Sequence, residues 1–217
     1  MIPKKIHYCW FGGNPKPKNF NSYLESWKKH CPDYEIIEWN ENNFDINDCE
    51  YAKKAYKNKK WAFVVDYVRF AVLEKEGGVY FDTDVELCKS IDSFLIDNCF
   101  MGFQDKKNIG SGIIGSERNH RFLSEMVSFY KNYKGNRNLI LPYLVIKILK
   151  KYGLEKNNKT QNLNGINIYP NYFFYPFAYY ETFTKDALTN QSYTIHWYTG
   201  TWLPGWIKKY ILPFLRI

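Results

Sequence analysis

The most apolar helical segment of the chain ends at two glycines and is followed at once by a short apolar strand and an acidic motif. Residues 61–76 read WAFVVDYVRFAVLEKE, and Gly77-Gly78, Val79-Tyr80-Phe81 and Asp82-Thr83-Asp84 come next. The segment is apolar on nearly every side, which predicts a buried helix that the glycines end. A buried helix that leads into a very short buried strand is typical of a sheet covered by helices.

Strands and helices alternate through the first hundred residues. Residues 5–10 and 34–39 are predicted strands, residues 20–31 have apolar side chains at helical spacing, and residues 40–50 read as a polar loop. Further predicted elements are strands at 100–103, 112–115 and 193–197, and helices at 122–133 and 141–152. The alternation predicts an α/β fold, and ligands in such sheets bind outside the carboxyl ends of the strands.

Asp82 and Asp84 follow the predicted strand 79–81 at such an end. Two carboxylates two residues apart in an extended chain point the same way, and they can share one hard divalent cation such as Mg²⁺ or Mn²⁺. A cation held there can in turn bind a diphosphate. Most isolated Asp-x-Asp sequences are solvated turns, but the apolar strand and Gly77-Gly78 before this one favour a metal site.

Asp66 and Arg69 are charged residues within the predicted buried helix. Their i, i+3 spacing puts them on one face of the helix, and buried charges are costly unless they are paired or used. A mutual salt bridge in the core would satisfy both residues, and so would a polar ligand reached from the helix. Because Asp82 is only one loop away, the ligand is favoured.

The composition sets bounds on the class of protein. The 217 residues suffice for one domain with its own core. The formal net charge of +8 favours anionic partners, and the 19% of aromatic residues suits stacking on sugars or bases. The five cysteines include no Cys-x-x-Cys pair, which argues against a disulfide framework and a cysteine-rich zinc site. No segment approaches the ~18 apolar residues of a membrane span and no signal peptide is recognised, so a cytoplasmic protein is expected.

The order Trp10-Phe11-Gly12-Gly13, Asp66-x-x-Arg69 and residues 77–84 resembles glycosyltransferase family 32, the group with a sugar-binding region containing a DXD motif. This group includes capsular polysaccharide transferases and, distantly, the glucosylating toxin domains. The resemblance implies one GT-A-type nucleotide-sugar-binding domain over residues 1–200, with a mixed central sheet and helices on both faces. It also implies Mn²⁺ or Mg²⁺ and the transfer of a hexose with retention, in the synthesis of a surface polysaccharide such as a capsule.

The same resemblance assigns the donor-binding residues by position. Trp10 would stack on the base of the nucleotide sugar. Asp66 and Arg69 would hold the sugar hydroxyls, and Tyr80 would lie at the ribose together with Asp82. Ser111 opens a segment, residues 111–115, that looks like the strand behind the donor sugar.

The resemblance also implies a metal centre that a late loop completes. Asp84 would be the direct metal ligand and Asp82 a second one. In the loop of residues 196–202, a neutral imidazole at His196 is a plausible third ligand, and the indole N–H of Trp202 could donate to a phosphate oxygen. The expected catalytic residues are Asp66, Arg69 and Asp84.

Two other classes of protein fit parts of the sequence. A haloacid-dehalogenase-like phosphatase would use Asp82 as its nucleophile. That class has Gly and then Thr or Val after the motif, whereas this chain has Val85-Glu86. Its motif also normally follows the first strand. A non-enzymatic nucleic-acid binder would suit the net charge, but there is no basic stripe with interleaved aromatics. No nucleic-acid partner is therefore expected.

The sequence indicates the chemical class of the donor and of the acceptor, but not the particular sugar or linkage. A UDP-hexose is preferred to GDP-mannose as donor, and the acceptor is expected to be a saccharide, free or lipid-linked. The final segment, residues 201–217, is predicted to be a basic amphipathic helix that contacts an anionic membrane surface on the inner face of the cell membrane. Packing of this segment against its own domain is the alternative. The apolar side chains of residues 201–217 that fall at helical spacing are Ile207, Tyr210, Ile211 and Phe214. The basic side chains of the same segment are Lys208, Lys209 and Arg216.

Overall fold

The computed structural model describes residues 1–135 and 138–200, within which the chain forms nine strands and six helices. The strands are β1 (Lys5–Cys9), β2 (Glu35–Trp39), β3 (Gly78–Phe81), β4 (Val85–Leu87), β5 (Cys99–Gly102), β6 (Ile113–Ser116), β7 (Gln161–Asn162), β8 (Ile166–Tyr169) and β9 (Thr194–His196). The helices are α1 (Phe20–His30), α2 (Glu50–Lys57), α3 (Trp61–Glu76), α4 (Arg121–Asn132), α5 (Leu141–Lys151) and α6 (Asn171–Phe174). Trp202 and the predicted helix within 201–217 lie outside the described residues.

Seven of the strands form one mixed sheet in the order β2-β1-β3-β6-β5-β8-β7. The strands β2, β1 and β3 are parallel, so their carboxyl ends lie at one edge of the sheet. The strand β6 runs antiparallel between β3 and β5, and β8 is parallel to β5. The predicted α/β fold with a mixed central sheet is confirmed.

Helices cover both faces of this sheet, because successive side chains of each strand point to opposite faces. One hydrophobic cluster joins α2, α3, α4 and α5 to strand residues such as Tyr80 and Ile114. The other joins α1 and α6 to their neighbours Val79 and Ile113. Among the described residues, no helix combines the length and the apolar character needed to cross a membrane.

A separate two-stranded sheet pairs β4 with β9, and it decides which residues meet at the functional site. Val85 is opposite His196 and Leu87 is opposite Thr194 in an antiparallel register. The indole N–H of Trp27, a residue of α1 with no exposed surface, donates to the carbonyl oxygen of Val85 at 2.8 Å. The late segment is thereby held directly beside the acidic motif.

The region between β2 and α3 differs from the prediction. Residues 40–50 were expected to be loop throughout, but Ile46–Asp48 form a single 3₁₀ turn and α2 begins at Glu50. Tyr51, Ala52 and Ala55 are the buried residues of α2. An apolar face this small gives little periodic signal, so packing on α3 rather than sequence pattern accounts for this helix.

Candidate active site

Asp82 and Asp84 lie in a turn between β3 and β4, at the edge of the sheet where parallel strands end. The backbone N–H of Asp82 donates to the carbonyl of Gly112 at 2.8 Å, and that of Val85 donates to the carbonyl of Asp82 at 3.1 Å. The expectation that this motif is extended is therefore wrong. Hydrogen bonding turns the chain here, and the carboxylates converge because the turn directs them toward β9.

The side chains of Asp82, Asp84 and His196 form a group that can hold a metal ion. One ligand atom from each lies within 4.8 Å of the others. The Nε2 atom of His196 is 3.0 Å from Oδ1 of Asp84 and 3.7 Å from Oδ2 of Asp82. Two carboxylate oxygens and an imidazole nitrogen suit a divalent cation such as Mn²⁺. The donor set therefore fits the predicted cofactor class, with Asp82, Asp84 and His196 as the residues that would hold it.

Asp84 is hydrogen-bonded by residues of the segment that follows β9. Its Oδ2 accepts hydrogen bonds from the backbone N–H and the hydroxyl of Thr199, at 2.7 and 2.9 Å, and its carbonyl accepts one from the N–H of Trp197. Burial acts against the charge on Asp84, but His196 and Thr199 hold the pKa of this carboxyl well below its ordinary value. Asp84 in turn raises the pKa of His196, although burial of the ring opposes this.

Arg69 connects the helix α3 to the acidic turn. Its guanidinium lies 3.1 Å from Oδ1 of Asp66 and 3.4 Å from Oδ1 of Asp82, and it donates to the carbonyl of Ser111 at 2.7 Å. The side chains of Arg69 and Asp66 are only 8% and 14% exposed. Burial raises the pKa of Asp66 to about 7, although Arg69 lowers it. The predicted pair thus exists as a core salt bridge that also reaches the candidate metal site.

Tyr80 contacts Asp82 and Arg69 from the buried side of the site, and the carbonyl of Ser111 accepts the hydrogen bond from Arg69. Tyr80 is 1% exposed, its hydroxyl donates to Oδ1 of Asp82 at 2.9 Å, and its ring lies 4.9 Å from the guanidinium carbon of Arg69. Ser111 is 8% exposed, and within the described part of the chain its Oγ is buried without a hydrogen-bond partner. Tyr80 therefore orients the carboxylate of Asp82, and the hydroxyl of Ser111 is free to bond a ligand.

Trp10 lies directly after β1, at the same edge of the sheet. Its backbone N–H donates to the carbonyl of Trp39, and its half-buried indole donates to the carbonyl of Asn14 at 2.6 Å. The backbone at Gly12 has a φ of +92°, and a Cβ there would overlap the indole of Trp61. Glycine is thus required for the loop to lie against α3.

Two residues of this site were not singled out in the sequence. Thr199 is the second anchor of Asp84, and it stands three residues after His196 in the segment expected to complete the site. A Cβ at Gly112 would lie 2.7 Å from Oδ2 of Asp82 and 3.3 Å from the ring of His196. The clustering of glycines at 110, 112 and 115 is the signal that could have indicated such a close approach.

Comparison with known families gives two matches that follow each other along the chain. Residues 17–101 match the model described as "Glycosyltransferase sugar-binding region containing DXD motif". Residues 115–202 match the "Alpha 1,4-glycosyltransferase conserved region". Both models describe glycosyltransferases, so neither the phosphatase nor the nucleic-acid-binding alternative gains support.

Individual relatives agree with this class. An uncharacterized glycosyltransferase of Acanthamoeba polyphaga mimivirus is 25% identical in an alignment that covers 94% of this chain and 85% of the viral protein. Inositol phosphoceramide mannosyltransferase 3 of Schizosaccharomyces pombe is 27% identical over 156 residues, 67% of this chain and 41% of the yeast protein. The chain thus spans about two fifths of the length of that fungal relative.

Solved structures support the fold. The PaToxG glycosyltransferase superimposes with a TM-score of 0.54 at 21% identity, covering 69% of each chain. The α/β architecture is of the GT-A type, as predicted. The fold, the acidic motif and the matched families together support a glycosyltransferase with a DXD motif.

Proposed function

We propose that the chain is a metal-dependent, retaining glycosyltransferase of family 32 that moves a hexose from a nucleotide-sugar donor to a saccharide acceptor. The observation that carries this proposal is the convergence of Asp82, Asp84 and His196, with the guanidinium of Arg69 next to Asp82. Such a site combines ligands for a divalent cation with a fixed positive charge. Both favour the departure of a nucleoside diphosphate.

Each residue has a distinct part in the proposed transfer. A Mn²⁺ or Mg²⁺ ion held by Asp82, Asp84 and His196 would neutralise charge on the diphosphate. Arg69 keeps Asp82 in place and adds a positive charge that burial cannot remove, because neighbouring carboxylates raise its pKa. Asp66, on the same face of α3, would accept a hydrogen bond from a sugar hydroxyl.

The proposed bond changes retain the anomeric configuration. The acceptor oxygen bonds to the anomeric carbon on the face from which the diphosphate departs. The bond between that carbon and the phosphate oxygen breaks, and the departing β-phosphate takes the acceptor proton. Trp10 at the end of β1 would stack on the base, and Ser111 would offer its unused hydroxyl to the donor.

We propose a UDP-hexose as donor and a saccharide, free or carried by a lipid, as acceptor. The name of the fungal relative, an inositol phosphoceramide mannosyltransferase, supports a lipid-borne acceptor. A capsule or other surface polysaccharide remains the proposed product. An acceptor of this kind at the inner face of the membrane would suit a cytoplasmic, peripheral protein with residues 201–217 as its contact.

The decisive experiment is a donor screen with the full chain. Release of nucleoside diphosphate is measured with Mn²⁺ for UDP-glucose, UDP-galactose, their N-acetyl forms and GDP-mannose, and again with EDTA. We expect Mn²⁺-dependent release from one UDP-sugar, and loss of that release in Asp84→Asn. The matched control is Asp186→Asn, which changes an exposed aspartate outside the site. Undiminished release in Asp84→Asn, or no release from any donor, would contradict the proposal.

The membrane contact is tested separately. The full chain and a chain ending at Thr201 are sedimented with vesicles of phosphatidylglycerol and phosphatidylcholine at low salt. We expect only the full chain to pellet, because three basic side chains give about 1 kcal/mol each near an anionic surface. Equal pelleting of both chains would show that the contact lies elsewhere.

A further inference from the structure

A pair of exposed tyrosines lies beside the candidate active site. Tyr179 and Tyr180 are 48% and 41% exposed, and their ring centroids are 5.1 Å apart at an interplanar angle of 81°. They occupy a short turn in which the backbone N–H of Glu181 donates to the carbonyl of Ala178, and the N–H of Ala178 donates to the carboxylate of Glu181. These hydrogen bonds fix the backbone from which both rings project.

A chain of aromatic contacts joins this turn to the residues that would hold the metal. The ring of Tyr179 is 6.4 Å from that of Tyr198, which is 4.2 Å from the ring of His196. From below, the buried Phe177 contacts Tyr198 at 5.6 Å. The two exposed rings are thus continuous with the site and not a separate patch of surface.

The tyrosine turn and Trp10, the expected base contact, follow strands on opposite sides of β3 in the sheet. In the sheet, β3 lies between β1, which leads to Trp10, and the strands β6, β5 and β8. The tyrosine turn follows α6, which begins directly after β8. Asp105, which follows β5, contributes together with burial to raising the pKa of Tyr180, so the loop after β5 lies close to the turn as well.

We propose that Tyr179 and Tyr180 form the platform for the acceptor saccharide, with one ring stacked on the sugar and the other, nearly perpendicular to it, at the sugar's side. The inference rests on the proposed function, because it assigns the acceptor side of the same site. An exposed phenol offers an apolar face to the C–H side of a pyranose ring and a hydroxyl to its alcohols. A sugar seated on the turn would lie next to Tyr198 and His196, at the open end of the donor site.

Other large exposed side chains in the described residues lack this context. Ile96, Ile140 and Tyr143 are 78%, 63% and 74% exposed, but they belong to other parts of the chain. Single apolar side chains on a surface are common and need no ligand. Tyr143, on α5, therefore provides a matched control of the same residue type.

The test is saccharide binding by the full chain on an array of immobilised mono- and oligosaccharides, with UDP and Mn²⁺ present. The strongest binder is then titrated against wild type, Tyr179→Ala, Tyr180→Ala, the double variant, Tyr179→Phe and Tyr143→Ala. We expect each alanine variant at the turn to lose about tenfold in affinity for the saccharide, since stacking requires the ring. Tyr143→Ala is expected to stay within about twofold, and Tyr179→Phe, which keeps the ring but not the hydroxyl, is expected to lose less affinity than Tyr179→Ala.

Binding of UDP with Mn²⁺, measured by calorimetry on the same proteins, separates this inference from the proposed function. Unchanged UDP affinity together with weakened saccharide binding in the alanine variants supports the platform. Wild-type saccharide affinity in the double variant would overturn it, and so would the absence of any array signal from a protein that binds UDP. Failure of wild type to bind UDP with Mn²⁺ would count against the proposed function instead.

Discussion

Thr199 holds one carboxylate oxygen of Asp84 with two hydrogen bonds, from its backbone N–H at 2.7 Å and from its hydroxyl at 2.9 Å. The other carboxylate oxygen faces Nε2 of His196. Both oxygens of Asp84 are therefore oriented by the end of β9 and the segment that follows it. This arrangement pre-organises the carboxylate, since its position does not depend on a ligand alone.

Removal of the Thr199 hydroxyl tests this anchor. Thr199→Val keeps the shape of the side chain and the backbone hydrogen bond, so we expect a loss of about 1.5 kcal/mol in the free energy of unfolding, typical of a hydrogen bond to a charged group. Urea denaturation measures the change. Thr160→Val, at an exposed position, serves as control and should be nearly neutral. Equal stability of the two variants would contradict the anchoring role.

Two glycines three residues apart should respond differently to the same substitution. In Gly112→Ala the new methyl group meets Oδ2 of Asp82, an atom at the end of a side chain and not of the backbone, so we expect the carboxylate to shift, with a small loss of stability but at least a tenfold loss of Mn²⁺ affinity. In Gly115→Ala the methyl group overlaps the buried ring of Phe100, so we expect a loss of about 1–3 kcal/mol in stability. Calorimetric Mn²⁺ titration and thermal unfolding measure the two effects. A similar Mn²⁺ affinity in both variants would argue against crowding of Asp82.

Trp10→Ala tests the proposed base contact. We expect UDP binding in the presence of Mn²⁺ to weaken by about 1–3 kcal/mol, the usual cost of a lost stack between a base and an aromatic ring. Pyrophosphate has no base, so its affinity in the presence of Mn²⁺ should be unchanged. Calorimetry measures both ligands. Equal weakening of both would show that Trp10 acts on the diphosphate site or on the loop.

Because His7 is buried and neutral, we expect the free energy of unfolding to fall in mild acid. Burial lowers its pKa from 6.5 to about 4. Its Nε2 lies 2.8 Å from the carbonyl of Gly77, to which it can donate, and its Nδ1 accepts from the indole of Trp39, so the ring is neutral in the folded chain. The unfolded chain binds the proton more readily, and stability is therefore lost as pH falls from about 6.5 toward 4, by about 3 kcal/mol.

Chemical denaturation at several pH values measures this dependence. His7→Gln removes the titrating group, and we expect a weaker dependence on pH in that range. Burial also lowers the pKa of His30 at the end of α1, but this histidine is less buried than His7, so His30→Gln should change the dependence less than His7→Gln does. An unchanged profile in His7→Gln would show that other groups dominate.

The elements with a strong apolar period were predictable from the sequence. Residues 61–76 are helical as predicted, and the other predicted strands and helices that fall within the described residues begin and end within one residue of their expected bounds. The strand β8 was missed, although Ile166 and Ile168 alternate with less buried neighbours, because it is short and follows a polar, Asn-rich stretch. The strand β4 has three residues and exists because β9 pairs with it.

The candidate site was predictable in its residue types but not in its connections. Asp66 and Arg69 share a face of α3 because of their spacing alone, whereas the contact of Arg69 with Asp82 depends on how α3 packs beside β3. The role of Thr199 depends on a register between β4 and β9 that no local pattern specifies. Long-range pairing of this kind is decided by the whole fold.

The pairing of β4 with β9 also sets an order of assembly. During synthesis the acidic turn leaves the ribosome more than a hundred residues before His196 and Thr199. A growing chain therefore carries Asp82 and Asp84 without their later partners, and the cluster of Asp82, Asp84 and His196 cannot exist until β9 has paired with β4. A divalent ion that needs all three residues will stabilise only the completed chain. Under the proposed function, Mn²⁺ affinity would therefore report whether β9 has paired with β4.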